Sequence, residues 1–217
     1  FRFGFPEKIG GWTKLGSKSF LGTCRALHPW QTLSLEKFMG LGTNEKYYIE
    51  EGQVYYDITP LRSTTAAGDA TFSASNGSST ITVTENTHNA LAGDFVTFTG
   101  AVSLGGNITA AILNQEYEIA SVVDANTYTI KARAVDLVAN ITINGTYTPT
   151  EVNANSSDNG TGGSSTIAKY QISKGLDTGI GGNGWGAGAW DGSQGWGQAA
   201  TINVAGVLRL WTHDNFG

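Results

Sequence analysis

Thr127-Tyr128-Thr129-Ile130-Lys131-Ala132-Arg133 is the stretch on which the fold turns. In an extended chain Tyr128, Ile130 and Ala132 share one face, while Thr127, Thr129, Lys131 and Arg133 share the other, the period of two that marks a half-buried β-strand. Glu116-Tyr117-Glu118-Ile119 repeats the pattern. Asp94-Phe95-Val96-Thr97-Phe98 is apolar on both faces and predicts a central strand. Three stretches read as hairpins with two-residue loops: Glu51-Gly52 between Tyr47-Tyr48-Ile49-Glu50 and Gln53-Val54-Tyr55-Tyr56, Asn76-Gly77 between the runs 70–75 and 79–84, and Asn144-Gly145 between Ile141-Thr142-Ile143 and Thr146-Tyr147-Thr148. Asn-Gly tolerates the positive φ angles of a type I′ turn, whose twist matches the strands it joins. Ile108-Thr109-Ala110-Ala111-Ile112-Leu113 offers the one plausible helical turn.

Composition agrees with an all-β chain. Of 217 residues 14% are charged and 11% aromatic, and there are 30 Gly but 4 Pro. Such a mixture, heavy in Thr, Asn and Ser, favours strands and turns over helices. The formal charge of −5 argues against a duplex-DNA-binding surface. Residues 1–62 carry eight Lys/Arg against six Asp/Glu, and residues 63–150 carry two against seven, so the middle of the chain is the acidic part. Cys24 is the only cysteine, which rules out an intrachain disulfide and reads as a buried free thiol. No apolar run is long enough to span a bilayer, and Phe1-Arg2-Phe3-Gly4 is not a signal peptide. The absence of an initiator Met and a stop at Asp214-Asn215-Phe216-Gly217, directly after a strand-like run, suggest a segment of a longer polypeptide.

The order of these signals predicts a host fold interrupted by a module. Residues 1–62 read as the first part of a propeller-like β meander, with strands at 33–41, 46–50 and 53–58. Residues 63–150 read as an inserted β-sandwich or small barrel. Residues 151–166 lack any apolar side chain larger than Ala over 153–165 and read as a flexible linker. Residues 167–217, rich in Gly and Trp, read as the host fold continued. No internal repeat at a propeller period is visible, so the chain supplies one or two blades at most.

Motifs that carry chemistry are scarce. His28, His88 and His213 stand in no metal-ligand spacing with Cys24 or a carboxylate, and no Gly-x-Ser-x-Gly elbow marks a nucleophile. Asp57 and Asp94 fall at strand edges, where a carboxylate usually bonds backbone N–H groups. Gly105-Gly106 and the stretch from Gly181 to Gly186 lack the Lys-Ser/Thr ending and the strand–helix context of a phosphate loop. The sequence therefore assigns no catalytic residue, no cofactor and no metal. Its most unusual feature is Gly184 to Gly197, which places Trp185, Trp190 and Trp196 on a backbone too permissive to form a core of its own. These indoles, with Trp211, read as sheet-edge or subunit-interface packing. Stacking on sugar rings is the alternative, which would make the chain a carbohydrate-binding or adhesive module.

The flanking thirds carry a resemblance. Phe1 to Trp12 (FRFGFPEKIGGW), Gly22 to Trp30 (GTCRALHPW), Leu41 to Lys46 (LGTNEK) and Tyr56 to Leu61 (YDITPL) resemble virion proteins of short-tailed phages. The segment Gly184 to Gly197 and Leu208 to Gly217 (LRLWTHDNFG) is similar to the same family's continuation. The family is the tail nozzle, or tail tubular protein B. The resemblance implies β-propeller subunits in a homo-hexameric ring, contacts with adaptor and tail fibre or spike proteins, and a place in the virion tail. It further implies passage of DNA during ejection without specific binding, and no enzymatic activity. It covers roughly 1–62 and 181–217 and says nothing of 63–150.

Overall fold

A computed structural model describes residues 20–135, 150–176 and 211–212. Within them the protein is almost entirely β, with two antiparallel sheets and one four-residue helix. The third expected hairpin, at Asn144-Gly145, lies outside the described residues.

The first sheet is a meander of β1 (Cys24–Gln31), β2 (Lys37–Thr43), β3 (Tyr47–Glu51) and β4 (Val54–Asp57), ordered as in the sequence. Glu51 faces Val54, so the β3–β4 loop is Gly52-Gln53, one residue later than expected. Both have positive φ, 57° and 71°, as a type I′ turn requires. The expected strand 33–41 is in fact a turn followed by β2, with the Thr32 N–H bonded to Glu36 O at 2.9 Å and Leu35 at φ 68°. The strand β1, for which the sequence reading gave no expectation, contains Pro29. Proline removes a ladder donor and is tolerated where β1 sits, on the outside of the meander.

The second sheet contains β5 (Leu61–Thr64), β6 (Thr71–Ala74), β7 (Thr80–Thr84), β8 (Phe95–Thr99), β9 (Glu116–Asp124), β10 (Thr127–Lys131) and β11 (Ile167–Gln171). Its order is β5-β11-β8-β9-β10-β7-β6. Laid flat, the outer strands would stand about 29 Å apart at the usual strand spacing. They are joined only by 65–70, a link that reaches about 25 Å fully stretched. The sheet must therefore curl. The long β9 carries the bend, pairing through Glu116–Glu118 with β8 and through Ile119–Asp124 with β10. The curl brings Phe72 of β6 edge-on to Phe98 of β8 at 4.9 Å and sets the Tyr128 and Tyr170 hydroxyls 2.8 Å apart. Alternation delivers the core as read: Tyr128, Ile130 and Ala132 are fully buried, Tyr117 and Ile119 nearly so, and β8 is central. The helix α1 (Ala110–Leu113), capped by Thr109, adds Ile112 and Leu113 to the core. Neither sheet closes into a barrel or a propeller among the described residues.

Two boundaries are corrected. Asn76-Gly77 is not a two-residue loop, because Ala74 pairs with Ile81 and the intervening chain turns through a Ser78 N–H to Ser75 O bond. More consequentially, the stretch 151–166 is not a free linker, and the module does not end at 150. Ala154 exchanges two backbone hydrogen bonds with Gly77 and Ser78, Thr161 O accepts from Phe72, and Gly162 O accepts from Val102. Thr166 is fully buried. The chain then enters β11, which fills the gap between β5 and β8. Backbone pairing holds this segment without large side chains, and small residues let it lie close: a Cβ on Gly162 would overlap the Phe72 ring. The residues 167–171, expected in the host, thus belong to the module's sheet.

Candidate functional site

Where the two sheets meet, four polar side chains converge. The β2–β3 turn is shaped by Thr43, whose Oγ1 accepts the Lys46 N–H at 2.8 Å and donates to Lys46 O. This geometry turns the Lys46 side chain inward until it is 2% exposed. Its ammonium lies 2.6 Å from Asp57 Oδ2 at the end of β4 and also pairs with Glu116 Oε1 at the start of β9. The same group stands 4.3 Å from the centre of the Phe95 ring. Gln171 of β11 completes the junction, donating to Glu116 Oε2 at 2.8 Å and to Asp57 Oδ2 at 3.3 Å. Asp57 further accepts the Thr59 N–H and hydroxyl. Burial alone would raise the Asp57 pKa, but Lys46 and the Thr59 donors outweigh it and hold the carboxyl below its ordinary value. Backbone bonds from Ile172 N to Pro60 O and Gly175 N to Asn44 O extend the seam.

This arrangement is a weld. Every member comes from a different strand or turn, and an uncompensated charge here is costly, so the cluster fixes how the sheets meet.

Trp211 packs against the β2–β3 end of the meander: its Nε1–H donates to Thr43 O at 2.7 Å and its ring meets Tyr47 at 4.9 Å. Gly42 makes room for it, since a Cβ there would overlap the indole. Trp185, Trp190, Trp196 and His213 lie outside the described residues. Cys24, expected to be buried, is exposed, because it opens the outer strand β1 rather than facing a core. Asp94 is buried, accepting from Leu91 N and Ser173 Oγ at 3.0 Å each. His88 is buried, with Nδ1 accepting the Ala90 N–H and Nε2 against Asp124 O. That pairing assigns the neutral Nε2–H tautomer. His28 stacks on Trp30 at 6.0 Å. Among the described residues no group of three or more His, Cys, Asp or Glu is placed to hold a metal ion, and no helix is long and apolar enough to cross a membrane.

Asp158 escaped the sequence reading, although Asn-Ser-Ser-Asp-Asn-Gly is turn chemistry. Its Oδ1 accepts the N–H groups of Gly106 and Ile108, and its Oδ2 those of Asn107 and Asn155, at 2.8 to 3.0 Å. Burial pushes its pKa up, but the four donors outweigh that and leave it lowered.

No family model and no curated protein matches the chain. Among solved structures it is similar to phage phi92 endosialidase, at 15% sequence identity and a TM-score of 0.27. The superposition covers 69% of this chain and spans 18% of that one. A likeness at that level transfers neither an architecture nor an activity.

Proposed function

We propose that the chain is a structural, non-catalytic piece of a short-tailed bacteriophage tail, serving in the ring-shaped nozzle through which the genome leaves and to which fibres attach. The observation that carries this reading is β4. It is an outer strand whose one strand partner among the described residues is β3. It exposes Val54 and Tyr56 at 41% and 51%, with Ile58 following at 45%. Soluble monomers blunt such an edge with Lys, Pro or a bulge, and an unblunted apolar edge calls for a covering neighbour. In a ring, the adjoining β unit of the assembly covers it. The family resemblance of 1–62 and 181–217 supports the same reading, and the welded junction supplies the stiffness a conduit needs. The excess of acidic residues suits a channel that lets a polyanion pass without gripping it.

Native mass spectrometry of the purified chain, together with negative-stain imaging, tests the proposal. A closed oligomer of about six copies that falls apart when Tyr56→Lys charges the edge supports it. A chain that stays monomeric and shortens a polysaccharide overturns it.

A further inference from the structure

A cleft of about 500 Å³ opens beside β5, between the 65–70 link and the loop that follows β7. Its size falls in the range of small-ligand sites. Arg62, Asp69, Glu85, Asn86 and Asn89 supply its polar wall. Arg62 is held in place rather than waving in solvent: its Nη1 donates to Asn89 O, its guanidinium carbon stands 5.3 Å from the centre of the Tyr170 ring, and its Nη2 is 3.8 Å from Asp94 Oδ2. Its Nε and Nη2 are buried and make no hydrogen bond, so the guanidinium can donate to a ligand in the cleft only through Nη1, one of whose hydrogens is used by Asn89 O. Glu85 is 6% exposed and accepts the Tyr170 hydroxyl on Oε2, leaving Oε1 without a protein donor among the described residues. The loop that presents these groups has Thr87 at φ 55° and Asn89 at φ 50°. A left-handed β-branched residue is strained, and such strain gathers where a surface is shaped for binding.

We propose that this cleft binds a neutral saccharide unit. The charges decide the class. A cation would face the Arg62 guanidinium, an anion would face Asp69 and Glu85, and an apolar group would strand all three. Sugar hydroxyls both donate and accept, so one ring can give protons to the carboxylates while accepting from the guanidinium and the Asn86 and Asn89 amides. Burial, with Asp69 adding to it, raises the Glu85 pKa against the pull of the Tyr170 hydroxyl, and a hydroxyl donor at Oε1 would offset part of that cost. None of the lining residues belongs to β4, so the site can fail while the assembly reading holds.

The test is saturation-transfer NMR followed by titration calorimetry of the full chain with maltose, lactose and cellobiose, with glucuronate and Ca²⁺ as contrasting probes. At least one disaccharide should bind, and Arg62→Gln should weaken it by about tenfold, the loss of one charged hydrogen bond. Asn86→Trp, at an exposed position, fills the cleft and should abolish binding while leaving the melting temperature unchanged, which separates a blocked site from an unfolded one. Absence of binding by all three disaccharides, binding that survives Asn86→Trp, or a response to glucuronate or Ca²⁺ alone each overturns the proposal.

Discussion

Replacing Asp158 with alanine should destabilise the protein far more than its place in a Gly/Ser/Asn-rich stretch suggests. The carboxylate accepts four backbone N–H groups, three of them from the 106–108 loop, 50 to 52 positions away in sequence. Each hydrogen bond to a charged group contributes roughly 1.5–3 kcal/mol, and losses are not additive. Of the four donors only Ile108 N–H is bonded in a buried setting, so water can reach the others. A net cost of about 3 kcal/mol follows. For a chain of this length that corresponds to a drop of about 6–12 °C in Tm. Asp158→Asn keeps one acceptor oxygen but turns an NH₂ toward two donors, so it should recover half of the loss at most.

The pH dependence supplies a second reading of the same bonds. The folded pKa of Asp158 lies below its unfolded value, so its contribution is complete above the unfolded pKa and disappears as pH falls through the folded one. The gap in Tm between wild type and Asp158→Ala should hold steady from pH 7 to about 5 and close below about pH 4. Thermal melts followed by circular dichroism measure both effects. A change under about 2 °C at pH 7, or a gap indifferent to acid, would falsify the claim that this carboxylate ties 150–166 to the module.

Three further outcomes follow from the same structure. Lys46→Met leaves Asp57 and Glu116 without their cation; because both carboxylates keep 28% of their side chains in water, the cost should be about 1–3 kcal/mol by denaturant titration, and a loss below about 0.5 kcal/mol would show that the weld is ornamental. Glu85 has a raised folded pKa, so the fold disfavours its charge and stability is lost as pH rises through that value. Glu85→Gln keeps an acceptor for Tyr170, and its Tm should exceed the wild-type value at pH 7 and converge with it below about pH 4, whereas a lower Tm at pH 7 reverses the sign of the argument. Gly42→Ala should expel Trp211 from its seat over β2, read as a red shift in tryptophan emission that is absent when Trp211→Phe is already in place.

What could be read from the sequence was whatever alternates. Tyr128, Ile130 and Ala132, or Tyr117 and Ile119, announce their faces because one side of each strand is buried and the other is wet. The strand β1 had no counterpart in the sequence reading; it contains Pro29, a breaker everywhere except on an outer strand, and position within a sheet is a tertiary property. The segment 151–166 stayed hidden for a different reason. It is held by main-chain pairing and by one carboxylate, and neither leaves a hydrophobic trace. The Lys46 junction was equally invisible, since its members sit at positions 46, 57, 116 and 171 and no local pattern connects them.

The same contrast explains how an acidic, turn-rich module can be carried on a meander without a flexible hinge. A tether would leave Lys46, Asp57 and Glu116 as ordinary surface charges, screened and nearly worthless to stability. Holding the buried Lys46 ammonium between two partly exposed carboxylates makes separation of the sheets costly, because the ammonium would lose both of its charged partners. The orientation of the module is thus fixed in part by electrostatics, through Lys46 set against Asp57, Glu116 and the Phe95 ring. If Lys46→Met and Glu116→Gln prove additive in a double-mutant cycle, the two residues act independently and this account of the joint fails, since members of one buried network must couple.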